Sequence, residues 1–170
     1  MKLDIACGRR KQPGFKGVDI VPVPGVDFVW DLEKFPWKPF EDNSVSEIYC
    51  SHYIEHTKDL IKFMDEVWRI CEDGAKVVFL APYYTSIRAW QDPTHKRTIS
   101  ENTFLYYNKD WRKTSLLEHY DIKSNFEVKS IMLYFNDPWD KKTDEARQFA
   151  AQHYFNAVSD IFVELKAVKF

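Results

Sequence analysis

The apolar positions fall into short runs separated by turn-forming residues, with one long stretch at helical spacing. Leu3 to Cys7 is apolar and stops at Gly8, a buried strand opening into a turn. Arg9 to Gly14 is polar and holds Pro13 and Gly14, hence loop. Gly17 to Val21 and Val26 to Trp30 are two more strand candidates, split by Pro22, Pro24 and Gly25. A loop with Pro36 and Pro39 leads to a fourth, Val45 to Cys50. The period then changes. Leu60, Phe63, Met64, Val67, Trp68 and Cys71 recur every three or four residues, predicting one amphipathic helix over 57–71, ended by Asp73-Gly74. Lys76 to Ala81 is a fifth strand, stopped by Pro82. Residues 83–125 show no strong period. Phe126 to Phe135 reads as a strand, Asp144 to Ser159 as a helix, and Ile161 to Phe170 alternates as a last strand.

Apolar strands with a helix between the fourth and fifth predict an α/β fold of the Rossmann-like kind, with a mostly parallel sheet. In such sheets ligands bind beyond the carboxyl ends of the strands, where strand order reverses. Gly8, Asp19, Asp31, Ser51 and Pro82 occupy those positions in sequence. A glycine after the first strand lets the backbone approach a ligand, and an acid ending the second can accept both hydroxyls of a ribose.

Composition narrows the class. The 170 residues are 45% hydrophobic and 29% charged, which fits a single globular domain, 1–170, with 83–125 as an insertion or lid. A net charge of −2 gives no global field toward nucleic acid, although a local basic patch stays open. Cys7, Cys50 and Cys71 lie in apolar runs without metal-ligand spacing, so they read as buried free thiols. No apolar run is long enough for a membrane span and no signal peptide fits the N-terminus, so the expectation is a cytoplasmic protein.

The ordered set Leu3-Asp4-Ile5-Ala6-Cys7-Gly8, Gly17-Val18-Asp19-Ile20, Trp30-Asp31-Leu32, Pro39-Phe40-Glu41-Asp42-Asn43-Ser44-Val45, Ser51-His52-Tyr53-Ile54-Glu55-His56 and Asp73-Gly74-Ala75-Lys76-Val77-Val78 resembles class I S-adenosylmethionine-dependent methyltransferases. It looks closest to small bacterial and viral members that also carry Asp-Pro-Thr-His-Lys-Arg, here Asp92 to Arg97. The resemblance implies an antiparallel C-terminal strand and S-adenosylmethionine as the cofactor. It also implies site roles. Ala6, Cys7 and Gly8 would line the methionine and ribose, Asp19 would hold the ribose diol, Asp31 and Leu32 would face the adenine, and Ser51 and His52 would border the methionine end. For Asp31 the alternative is a turn cap.

The chain departs from that pattern in length. Asp19 follows Gly8 by only eleven residues, and the next connection, Val21 to Gly25, is shorter still. This predicts a reduced fold lacking the early helices, with one sheet face uncovered unless residues 83–125 or a second subunit covers it. A homodimer is expected.

For chemistry, His95 can serve as a base oriented by Asp92, Lys96 and Arg97 can hold an anionic acceptor, and Tyr83 and Trp90 with neighbouring rings can form its pocket. Asp92 to Arg97 reads alternatively as a structural lid. These assignments point to O-methylation of a small anionic or sugar-containing acceptor. Rival readings are a donor-binding module without catalysis and a nicotinamide oxidoreductase, the latter disfavoured by the missing G-x-G-x-x-G and Tyr-x-x-x-Lys. His52-Tyr53-Ile54-Glu55-His56 also matches H-x-x-E-H, a zinc-hydrolase pattern, but no third ligand is evident downstream, so no metal is expected.

Overall fold

A computed structural model describes residues 1–169. Seven strands form one sheet: β1 (Lys2–Ile5), β2 (Lys16–Asp19), β3 (Val26–Val29), β4 (Val45–Ser51), β5 (Cys71–Pro82), β6 (Phe126–Phe135) and β7 (Val158–Ala167). The order is β3-β2-β1-β4-β5-β7-β6, and β7 alone runs antiparallel to its neighbours. Strand order reverses between β1 and β4, both parallel to each other. The expected Rossmann-like, mostly parallel sheet is therefore present.

No helix joins β1 to β2 or β2 to β3. Such connections work here because the strands are short. Four residues extend about 13 Å, and a six-residue return reaches about 20 Å. The connector after β1 is held by polar contacts instead of helix packing. The Gln12 amide donates to Asp4 (2.7 Å), and Asp27 accepts from the Gly17 amide (2.8 Å) and the Lys11 ammonium (2.7 Å). These bonds and the Lys16 ammonium hold the Asp27 carboxyl well below the usual range.

The two faces differ. Leu3, Ile48 and Val77 form one row, Ile5, Cys50 and Phe79 the next. On them pack α1 (Leu60–Ile70), through Phe63, Met64, Val67 and Ile70, and the 3₁₀ segment Glu101–Tyr107, whose Phe104 stacks on Phe79 at 5.8 Å. The helix α4 (Asp144–His153) joins the same buried cluster through Ala151. Between them, α2 (Ile87–Gln91) and α3 (Lys109–Thr114) are short. The opposite face carries Lys2, Glu47 and Lys76 in one row and Ser51, Leu80, Phe162 and Met132 in another. Lys2–Glu47 (2.6 Å) and Lys76–Glu164 (3.2 Å) pair across it. Residues 83–125 thus add to the covered face, and among the described residues no helix packs on the rows of the other.

Several boundaries differ from the sequence reading. The helix expected over 57–71 begins at Leu60, because Asp59 caps it by accepting from the Lys62 amide (3.0 Å). Asp73-Gly74 does not end that helix. It forms an irregularity within β5, with Gly74 at φ +79° and the register against β4 shifting between Val45 and Glu47. The helix expected to Ser159 stops at His153, and β7 starts earlier than Ile161, at Val158. Phe170, taken as the end of that strand, lies outside the described residues. No helix among them is long and apolar enough to cross a membrane.

At Gly17 a Cβ would lie 2.7 Å from both the Gly25 carbonyl oxygen and the Cys7 sulfur. Gly17→Ala should destabilise the chain by about 1–3 kcal/mol, measured as a lower urea midpoint at unchanged slope.

Candidate functional site

The strand tips at the reversal point turn through left-handed backbone. Ala6 has φ +56°, Gly8 +52° and His52 +53°. Such conformations cost about 1–2 kcal/mol for residues with a Cβ and gather at functional sites. They expose backbone at the carboxyl ends of β1 and β4. A Cβ built on Gly8 would meet no heavy atom within 4 Å, so the glycine borders open space.

Two cavities meet there and share Ala6. The first, about 300 Å³, is lined by Asp19, Ile20, Trp30, Asp31, Leu32, Glu33, Tyr53, His56 and Lys58. The second, about 460 Å³, is lined by Asp4, Cys7, Gly8, Arg9, Arg10, Gln12, Tyr49, Ser51 and His52. The structure therefore brings all eight residues expected to bind the cofactor to these two walls.

Asp19, on the wall of the first, is hydrogen-bonded to Gly8 on the wall of the second. One oxygen accepts from the Gly8 amide (2.8 Å) and the other from the Val21 amide (3.0 Å). Carboxylate oxygens have further lone pairs, so both can still receive hydroxyl donors. Asp31 accepts from the Glu33 amide (3.0 Å), which makes it a turn cap as well as a wall residue. The Leu32 carbonyl is taken by the Trp37 indole N–H (3.0 Å), fixing the turn below. Glu33 accepts from the Tyr53 hydroxyl (3.3 Å) and the Lys58 amide (3.1 Å), closing the far end of the first cavity. Burial and this carboxylate push the Tyr53 phenol well above its usual pKa.

Some wall residues were not singled out from sequence. Asp4 is 2% exposed, and burial raises its pKa despite the Gln12 amide. An acid inside an apolar strand was the available signal. Trp30, Tyr53, Arg9 and Arg10 left none, since aromatic and cationic residues abound along the chain.

The residues expected to hold and activate an acceptor lie elsewhere. Tyr83 is 3% exposed, and its hydroxyl donates to Glu101 (2.9 Å), away from both cavities. Trp90 is exposed, its indole N–H donating to the Tyr84 carbonyl (3.0 Å). The Arg97 guanidinium donates to the carbonyls of Ile54, Thr57 and Lys58, stapling this loop to the β4 exit. Lys96 is exposed, and its amide donates to the Glu55 carbonyl (2.8 Å). His95 Nε2 is 3.8 Å from Asp92, and its ring meets His56 edge-on at 4.6 Å, but neither His95 nor Asp92 lines either cavity. His52 and His56 do not share a helix: His52 Nε2 faces Asp160 (3.9 Å).

Burial pushes the Cys7 thiol up to about 11, helped by the nearby Asp4 and Asp19 charges. Cys50 and Cys71 are also buried and raised. All three should react with a thiol reagent far more slowly at pH 7.5 in the native chain than in denaturant, counted by colour release.

Residues 16–79 match the model of a family described as a methyltransferase domain. No curated protein matches the chain by sequence. Among solved structures, a putative methyltransferase from Bacillus halodurans superimposes with TM-score 0.61 at 13% identity, over 99% of this chain and 92% of that one. A SAM-dependent methyltransferase from Archaeoglobus fulgidus gives 0.59 at 20% identity, over 97% and 85%. The [4+2]-cyclase SpnF gives 0.61 at 12% identity, over 99% and 74%. The chain has the fold of these solved methyltransferases, and its residues 16–79 match a methyltransferase-domain model. The Asp92–Arg97 segment lies outside the matched residues.

Proposed function

We propose that this chain, a methyltransferase by fold and family pattern, binds S-adenosylmethionine across the paired cavities and passes its methyl group to a small acceptor. The observation that carries the reading is the convergence of Gly8, Asp19, Asp31 and Ser51 on two adjoining cavities at the reversal point of the sheet. The adenosine belongs in the first cavity, with Ile20, Trp30 and Leu32 against the base and the Asp31 carboxylate toward its amino group. Asp19 receives the ribose hydroxyls. The methionine belongs in the second, where Asp4 suits an ammonium and Arg9 or Arg10 a carboxylate.

When bound, this donor supplies a methyl on a sulfonium, already activated for displacement. The protein's task is to align an acceptor with that carbon and exclude water, and such positioning supplies much of the rate. A base is needed only where the acceptor must lose a proton. The acceptor we favour is a small anionic or sugar-containing molecule methylated on oxygen. The support is that the second cavity is lined by two cations, Arg9 and Arg10, of which the methionine carboxylate needs one, together with Ser51 and His52. This moves the anion-holding role from Lys96 and Arg97 to the connector after β1.

Calorimetry with S-adenosylmethionine, its demethylated product and NAD tests the donor. The first two should bind and NAD should not. Asp19→Asn should weaken product binding by about 10–100-fold, the value of one or two hydrogen bonds to a charged group. Equal affinity for NAD, or an unchanged Asp19→Asn, would sink the reading.

The proposal extends to a homodimer through the helix-free face. Its charged patch of Lys2, Glu47 and Lys76 in one row, with Glu164 next to Lys76, offers both signs to a second copy turned on a two-fold axis. Beside it lie the exposed Met132 and Tyr134. Sedimentation at micromolar concentration should show a dimer that Met132→Glu dissociates.

A further inference from the structure

Where the β4 exit meets the loop after β5, Glu55, His56 and His95 converge, and one ligand-type atom from each lies within 4.8 Å of the others. Glu55 is 2% exposed, and neither carboxylate oxygen has a hydrogen-bond partner. The nearest polar hydrogen source is His52 Nδ1, 3.5 Å from one of them. A buried carboxylate without partners is among the costliest arrangements in a protein, and such groups are ordinarily paired or coordinate a metal.

The two imidazoles are oriented as ligands. His95 Nδ1 lies 3.0 Å from the Ala89 carbonyl oxygen, which only accepts, so Nδ1 carries the proton and Nε2 the lone pair. His56 Nδ1 lies 2.9 Å from the Thr94 hydroxyl. That hydroxyl gives its own proton to Asp92 (2.7 Å), so it accepts from His56 and leaves His56 Nε2 free as well. This pattern, with one ring nitrogen tied to an outer partner, is how metal-binding histidines are held. The loop is fixed to the β4 exit by the Lys96 amide on the Glu55 carbonyl and by Arg97 on three carbonyls, so the ligands are supported independently of any ion.

We infer that Glu55, His56 and His95 form a site for one divalent cation of zinc type, with an oxygen of Asp92 able to serve as a fourth ligand. Two imidazoles and a carboxylate suit zinc or cobalt more than calcium or magnesium, which take oxygen sets. Tetrahedral zinc needs ligand atoms about 3.4 Å apart, which small side-chain rotations reach from the present spacing. The site differs from the H-x-x-E-H pattern: His52 is turned toward Asp160, and the distant His95 supplies the second imidazole. It does not depend on the donor reading, although His56 also lines the first cavity.

The test uses the full chain stripped with a chelator and titrated with cobalt(II) by absorption and zinc(II) by calorimetry. One ion per chain with a tetrahedral cobalt spectrum is expected. Glu55→Gln, His56→Gln and His95→Gln should each weaken zinc binding at least about 100-fold, and Thr94→Val about 10–100-fold. His119→Gln and His153→Gln, both on the surface, should leave it unchanged. Far-UV circular dichroism confirms that each variant is folded, and Thr94→Val keeps the test decisive if a ligand variant is not. Absence of saturable binding overturns the site. So does binding unaffected by His95→Gln or Thr94→Val, or binding lost with His119→Gln or His153→Gln.

Discussion

The hydrogen bond from the Gly8 amide to Asp19 ties the loop leaving β1 to the end of β2. In a sheet of this kind a helix usually fixes that relationship by packing along both strands. Here the connector is ten residues long and has no helix. One charge-assisted bond, with the Gln12–Asp4 and Lys11–Asp27 contacts behind it, takes over the alignment. Because the same carboxylate lines the first cavity, the group that orders the loop also forms part of a cavity wall. Folding of the connector and shaping of the pocket are one event.

The reduced connections have an asymmetric effect. Helix α1 and the 3₁₀ segment pack on one side of the sheet, where Phe63, Phe79 and Phe104 make a continuous aromatic core. The other side of the sheet keeps salt-bridged rows near the amino ends of β1 and β4 and apolar side chains farther along. The second cavity opens on that side, since Asp4 and Tyr49 share a row pointing there. The short connections therefore leave the surroundings of the second cavity open.

Much of the architecture was legible because burial imposes periodicity. The seven strands and α1 announced themselves through apolar runs and helical spacing, and the ten residues between Gly8 and Asp19 left no room for a helix. The errors came where a local signal had two physical meanings. Asp73-Gly74 reads as a helix stop, yet a glycine at positive φ serves an irregular strand equally well. The eight residues expected to bind a cofactor come together on the cavity walls because each sits at a strand tip, a place that sequence order specifies. The residues expected to hold an acceptor do not join those walls, because the loop over 83–125 has no period and its side chains are placed by distant packing. Tyr83 is drawn to Glu101 and Arg97 to the carbonyls of Ile54 and Thr57. The meeting of Glu55 with His95, forty residues apart in sequence, leaves no local trace at all.

The outer strand β6 has one further consequence. It is ten residues long and lies at the end of the sheet, with its free backbone edge outward. Its register against β7 slips between Val128 and Ser130, around Lys129, and again between Tyr134 and Phe135. A foreign strand cannot zip along an edge broken twice and studded with an ammonium group. The irregularities act as guards against fibrous growth, steering any self-association away from the rim.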